Sequence, residues 1–211
     1  MKKSHVLFGI SPFNSKFNEF YLTRMLKWGF ENYECVDVLH PYEEAKYLLM
    51  GCGDDVNKAR KKSRKEFYRT ERAVNCFLKN NESSLYCDKV LKFSDFYNIA
   101  IYDYLYEKVN YLFNNDELFC SICKEQSYKA ILQRKNATFS KNTIDEDKLN
   151  VATNYILREL PFIIAPSTLI KTNDIIHVSY YCTWPIVEYI YSGNILLNPY
   201  SKTKIIIKDH G

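Results

Sequence analysis

Apolar positions along the chain fall into short runs and spaced sets whose period changes from segment to segment. Residues 5–10, His-Val-Leu-Phe-Gly-Ile, form a bounded apolar run and predict a buried strand. Phe20, Leu22, Met25, Leu26 and Trp28 follow at helical spacing and predict a helix over 18–31. A second strand is expected at 35–39 and a helix over 42–50. Gly51-Cys52-Gly53-Asp54-Asp55 interrupts the pattern and caps a long helix from about 55 to 79. Residues 94–134 read as mostly helical. Thr143-Ile144-Asp145-Glu146 has the form of a capping box, opening a helix that Pro161 should end. Strands are expected at 162–164, 175–180 and 203–208. Between the last two, Trp184-Pro185 begins a helix and Gly193-Asn194 breaks it. Strands alternating with helices after an N-terminal apolar strand predict one three-layer α/β domain over 1–211, with a mostly parallel sheet.

With 211 residues, 46% of them hydrophobic, the chain can bury a full core without disulfide or metal staples, which excludes a disordered protein. The apolar run after Met1-Lys2-Lys3-Ser4 is too short for a signal peptide, and no stretch reaches the roughly 18–20 apolar residues of a membrane span. The expectation is a cytosolic protein with no membrane contact. Seven cysteines, an odd number, then read as reduced thiols. Cys120 and Cys123 have CxxC spacing, but no second ligand pair accompanies them, so they are placed facing the core on a helix. No metal and no cofactor are expected.

Charge alters this picture at one place. Residues 58–72 hold eight Lys/Arg and two Glu, a local charge of +6 against +4 for the whole chain. At helical spacing Lys58, Lys61, Lys62, Lys65, Arg69 and Arg72 fall within an arc of roughly 100°. Val56, Ala59, Ser63, Phe67, Thr70 and Val74 lie opposite them. Such a ridge, with no acid at i,i+4 to neutralise it, fits a phosphate backbone and predicts salt-sensitive nucleic-acid binding without base reading. A solvated face is the plainer alternative.

The candidate chemistry begins at the end of the first strand. Gly9-Ile10-Ser11 places a hydroxyl at the carboxyl edge of the sheet, where α/β proteins build their sites. Gly9 would let a substrate backbone approach, and the turn Pro12-Phe13-Asn14 would bring N–H groups near Ser11. The chain has no G-x-S-x-G elbow, and its four histidines lack the context of a Ser-His-Asp triad. A serine without a strong base needs an already activated acyl donor. Downstream, Tyr155 and Glu159 stand at i,i+4 and share one helical face, where a carboxylate beside a phenol could cradle an ammonium group. Taken alone, that pair also fits a surface Glu beside a core Tyr.

Together these segments resemble the two signatures of the cyclodipeptide synthases, which condense two aminoacyl-tRNAs into a diketopiperazine. His5 through Ser11 match H-x-hydrophobic-hydrophobic-G-hydrophobic-S, and Tyr155 through Pro161 match Y-hydrophobic-x-x-E-x-P. The resemblance implies a Rossmann-like domain similar to the catalytic domains of class I tyrosyl- and tryptophanyl-tRNA synthetases, without their ATP-binding motifs. It implies that Ser11 is the nucleophile of a ping-pong aminoacyltransferase, working through a Ser11-linked aminoacyl-enzyme and a dipeptidyl-enzyme. Tyr155 and Glu159 would hold the amino group. Asn14 and Tyr180 match the two positions that mark the larger subfamily, whereas Tyr181 stands where that subfamily usually has Gln. Tyr102 matches a further active-site tyrosine, with Tyr97, Tyr104 and Tyr106 close by in sequence. By position, Leu7, Gly9, Leu39, Phe162 and Val178 would line the first substrate pocket. Their apolar or small character implies a hydrophobic residue such as Leu, Phe or Met in the product. The basic helix corresponds to the family's tRNA-docking helix. The implied partners are two aminoacyl-tRNAs, with no obligate protein partner. The alternative is a non-catalytic tRNA- or RNA-binding protein of the same fold; a hydrolase or nucleotide-dependent transferase lacks its G-x-S-x-G or G-x-G-x-x-G signature here.

Overall fold

The computed structural model describes residues 1–134, 144–193 and 202–211. Its strands are β1 (Lys3–Gly9), β2 (Tyr33–His40), β3 (Leu91–Lys92), β4 (Ile176–Tyr180) and β5 (Thr203–Ile207). Its helices are α1 (Glu19–Asn32), α2 (Lys46–Gly51), α3 (Val56–Asn80), α4 (Ala100–Asn115), α5 (Glu117–Arg134), α6 (Glu146–Ile164), α7 (Pro166–Ile170) and α8 (Pro185–Tyr191). The five strands pair in the order β3-β2-β1-β4-β5, every pair parallel. The chain thus builds outward from β1 in one direction and then returns to its other side. The carboxyl ends of β1 and β4 flank this switch point, where an open parallel sheet leaves a crevice for a ligand.

Alternation along β1 explains the layers. Val6, Phe8 and Ile10 face α1 and α3 and join a cluster with Tyr21, Leu26 and Phe67. Leu7 faces the other way, into a larger cluster with α4, α6 and α7 that includes Leu39, Phe162 and Val178. Both faces of a parallel sheet are covered in this manner, so its strands read as apolar runs. His5 is accommodated in the buried sheet because Asp37, its neighbour on β2, stands 2.9 Å from its Nε2, both side chains being fully buried.

Several sequence expectations are corrected. Pro161 does not end α6 but lies inside it, and 162–164 form its last turn, not a strand. The apolar run through Phe162, Ile163 and Ile164 carries no period, so it fits a buried helix as well as a strand. Proline forfeits one helical bond there, and the surrounding core holds the segment helical. Asp145 is the N-cap of α6, accepting from the Asp147 N–H at 3.2 Å. Thr143 and Asn194, to which the capping box and the helix break were assigned, lie outside the described residues. Two-residue β3 has no alternation to betray it. Val56, placed on the inner face of α3, is exposed, as is Phe20 of α1, over which Arg24 stacks at 5.5 Å.

One helix crossing fixes the position of α6. At Gly51, the last residue of α2, a Cβ would lie 2.6 Å from Ala152 Cβ and 2.9 Å from the Lys148 carbonyl. The two helices therefore meet backbone to backbone.

Candidate active site

Ser11 lies two residues past the end of β1, and the intervening Ile10 N–H still bonds to the Leu39 carbonyl at 3.0 Å, so the sheet holds the residue before the hydroxyl. The chain then turns through Phe13, whose φ of 60° is left-handed. A phenylalanine adopts that conformation only under constraint from its surroundings. Two contacts supply it. Asn14 Oδ1 accepts the Lys16 N–H at 3.0 Å, and the Arg134 guanidinium, at the end of α5, donates to the Pro12 carbonyl and lies 5.8 Å from the Phe13 ring.

Ser11, Asn14, Tyr155, Tyr181 and Arg134 border one cavity of about 290 Å³. Its apolar lining includes Leu48, Ala130, Ala152 and Ile156. A mostly apolar hollow with a few converging polar groups is the usual form of a small-ligand site.

Behind Tyr155 lies the second component. Glu159 is 3% exposed and accepts a hydrogen bond from the Tyr180 hydroxyl at 3.0 Å. Burial pushes its pKa up to about 7, against the pull of Tyr155 and Tyr180. The Tyr155 hydroxyl lies close enough to act on this carboxyl, yet it and Glu159 Oε2 are not aligned as a formed bond, and both lack a partner among the described residues. Burial first, and the Glu159 charge second, hold the Tyr155 and Tyr180 phenols well above their ordinary pKa, so both stay neutral. Glu159 can therefore take and release a proton near neutrality, with an unused carboxyl oxygen and an unused phenol beside it.

Gly9 proves to be needed for this pair. A Cβ there would stand 2.6 Å from Tyr180 Cε1, so the missing side chain admits the tyrosine ring. The remaining members of the expected first pocket, Leu7, Leu39, Phe162 and Val178, are fully or almost fully buried around the Tyr180–Glu159 pair and do not border the open cavity. Tyr102 is likewise 1% exposed and off the cavity; its hydroxyl donates to the Arg158 carbonyl at 3.1 Å, bracing the turn of α6 that carries Glu159.

On α3 the inner residues Ala59, Ser63, Phe67, Thr70 and Val74 are buried, and all six ridge cations are exposed. Their neutralisation is greater than the spacing suggested. Asp54, four residues before Lys58, pairs with Lys58 at 2.9 Å and Lys62 at 2.6 Å, and Arg69 pairs with Glu66. Among the described residues, Lys61, Lys65 and Arg72 form no ion pair. None of the seven cysteines is in a disulfide, and Cys123 is buried in the core on α5.

Sequence reasoning missed Arg134, and it named Tyr181 only as a departure from the subfamily's usual Gln, not as a site residue. Arg134 is one cation among many, and only its contacts with Pro12 and Phe13 distinguish it; Tyr181 borders the same cavity as Ser11.

Comparison with known proteins identifies the family. A family model for cyclodipeptide synthase matches residues 1–207. The cyclo(L-leucyl-L-leucyl) synthase of Staphylococcus haemolyticus is 31% identical over 211 residues, covering 98% of this chain and 87% of that protein. The crystal structure of a cyclodipeptide synthase from Bacillus thermoamylovorans superposes with a TM-score of 0.89 at 32% identity, covering 97% of this chain and 88% of that one. The fold is shared at 20% identity and a TM-score of 0.76 with a Mycobacterium tuberculosis protein, over 96% of this chain and 84% of that one. That structure is described as demonstrating that cyclodipeptide synthetases are related to type I tRNA synthetases.

Proposed function

The chain belongs to the cyclodipeptide synthase family, and from that premise we propose that it joins two aminoacyl-tRNAs by a ping-pong route through Ser11. The observation that carries the reading is Glu159, a buried carboxyl poised near neutrality between two phenols, behind a cavity that opens on a serine.

In the first half-reaction the Ser11 oxygen adds to the ester carbonyl of one aminoacyl-tRNA. The 3′-terminal oxygen leaves with a proton, giving an aminoacyl-enzyme and free tRNA. The α-ammonium of the bound residue lies against Glu159 and Tyr155. Glu159 takes its proton, and the amine attacks the ester of a second aminoacyl-tRNA, forming a peptide bond and releasing the second tRNA. The free amine of the resulting dipeptidyl-enzyme then attacks the Ser11 ester, closing the six-membered ring and restoring the hydroxyl. Asn14 and Tyr180 keep the places the larger subfamily gives them, Tyr180 through its bond to Glu159. N–H groups of the turn after Ser11 are the donors for the successive oxyanions.

The apolar cavity wall and the leucyl products named for the Staphylococcus haemolyticus relative support leucine in the product. Side chains differing by one methylene are separated by only about 1–3 kcal/mol, so minor products with Phe or Met accompany it. The exposed cations of α3 engage tRNA phosphates.

The test is mass spectrometry of culture medium after expression of the wild type and Ser11→Ala in a bacterial host. Cyclic dipeptides, led by cyclo(Leu-Leu), are expected with the wild type and none with the variant. A soluble wild type that releases no diketopiperazine would favour the RNA-binding alternative.

A further inference from the structure

A second gathering of reactive side chains lies at the amino end of the sheet, away from Ser11. His5 on β1 and Cys35 on β2 are partners in the parallel register, and Asp37, two residues further along β2, shares the face of Cys35. Asp174 stands in the connection from α7 to β4, two residues before Ile176, which pairs with His5 from the other side. One ligand atom from each of His5, Cys35 and Asp174 lies within 4.8 Å of the other two.

The imidazole supplies an independent observation. His5 is fully buried, and its Nε2 is engaged by Asp37 Oδ2 at 2.9 Å. Nδ1 remains, buried and without a hydrogen-bond partner among the described residues. Folded proteins rarely leave a buried nitrogen unpaired. With the proton on Nε2, donated to Asp37, Nδ1 presents a lone pair. Ligating histidines commonly have this arrangement, the far N–H fixed by a carboxylate that sets the tautomer and strengthens the donor. Asp37 is itself anchored, its Oδ1 accepting the Cys87 N–H at 3.0 Å. Asp174 Oδ2 accepts the Thr172 hydroxyl at 3.1 Å, which leaves Oδ1 for a further partner. Cys35 is in no disulfide.

We propose that His5 Nδ1, the Cys35 sulfur and the Asp174 carboxylate form a site for a divalent cation of the zinc class, with water as the fourth ligand. Imidazole, thiolate and carboxylate are the donors zinc takes, and the thiolate disfavours magnesium and calcium. Cys35 releases its proton to solvent on binding. At zinc bond lengths tetrahedral ligands stand about 3.3–3.8 Å apart, so a closure of no more than about 1.5 Å completes the site. Asp174, outside any strand, can supply that movement. The ion ties β1, β2 and the approach to β4 together, so its contribution is to stability and not to acyl transfer. Its ligands come from three separate segments, which no local spacing displays. The inference is independent of the reaction assigned to Ser11.

The experiment titrates untagged, chelator-stripped protein with Co²⁺ and then Zn²⁺, comparing wild type, Cys35→Ala and Asp174→Ala by absorption and by melting temperature. Neither substituted residue is fully buried, and melting without metal reports whether each variant folds. The wild type should bind one Co²⁺ with a thiolate-to-cobalt charge-transfer band and tetrahedral d–d bands, and Zn²⁺ should displace it and raise the melting temperature. Cys35→Ala should lose both the charge-transfer band and the thermal shift. Loss of an outer carboxylate alone weakens a metal roughly 10–100-fold, so Asp174→Ala, which removes a ligand, should weaken Zn²⁺ by more than about ten-fold. A wild type that takes up no stoichiometric Co²⁺ would overturn the proposal and leave Nδ1 to a buried water. A charge-transfer band that survives in Cys35→Ala, or a Zn²⁺ affinity unchanged in Asp174→Ala, would overturn it as well.

Discussion

Replacing Glu159 by glutamine should stabilise the folded protein, and only above a definite pH. The carboxyl titrates at about 7 in the fold against 4.5 for an ordinary glutamate. Below pH 4.5 both states hold the proton, and the group contributes no pH dependence. Between 4.5 and 7 the unfolded chain ionises while the folded one keeps its proton, so stability falls as pH rises, levelling off once the folded group has ionised. The gap in pKa corresponds to about 3 kcal/mol at 1.36 kcal/mol per unit. Glutamine cannot ionise, and its carbonyl can still accept from Tyr180. Urea denaturation of wild type and Glu159→Gln, followed by tryptophan fluorescence from pH 4.5 to 8.5, isolates the group, because contributions from the buried histidines cancel in the difference. The two curves should agree near pH 4.5 and diverge until the variant is about 3 kcal/mol more stable at pH 8. A difference that stays constant across that range would refute the placement of a neutral carboxyl in the core.

Two further outcomes follow from contacts in the structure. Gly9→Ala drives a Cβ into the Tyr180 ring, for which overpacking predicts a loss of about 1–3 kcal/mol; displaced from Glu159, Tyr180 should also take diketopiperazine output down, and an unchanged melting temperature would show that the ring moves aside freely. Lys61→Ala and Lys65→Ala, which remove cations outside any ion pair, should each lower the slope of log tRNA affinity against log salt by about one. Lys58→Ala and Lys62→Ala should do less, because Asp54 holds both; equal effects at all four positions would show that Asp54 releases its lysines to the RNA.

Legibility in the sequence depended on whether a residue's role was set locally or across the fold. The strands at β1, β2 and β4 were readable from apolar runs, and α3 from the contrast between Ala59, Ser63, Phe67 and the cations facing away from them. The break at 51–55 was readable from glycine and aspartate. What escaped was decided by packing. Pro161 and the run after it look like a helix stop and a strand, and the enclosing core overrules both. Of the site, Ser11, Asn14, Tyr155 and Glu159 were visible as motif residues, and their spacing already put the last two on one helical face. Gly9 was visible, but its closeness to Tyr180 was not, since that ring comes from a strand far along the chain. Arg134 carries no local signal, because its contact with the Ser11 turn exists only once α5 has docked; Tyr181 was visible only as a departure from the subfamily's usual Gln. The discharge of Lys58 and Lys62 by Asp54 depended on the geometry of the loop before α3.

The bare crossing of α2 over α6 at Gly51 and Ala152 also bears on how the enzyme could diversify. The helix that presents Tyr155 and Glu159 forms one wall of the cavity, and at that crossing it has no slack. Any side chain added at 51 would lever α6 away and carry the proton-handling group with it. Substitutions on α5, at Gln126, Ala130 and Gln133, which border the same hollow, meet no such crossing with α2 at Gly51. The lining from α6 is thus tied to the backbone of α2, and the lining from α5 is not held in that way.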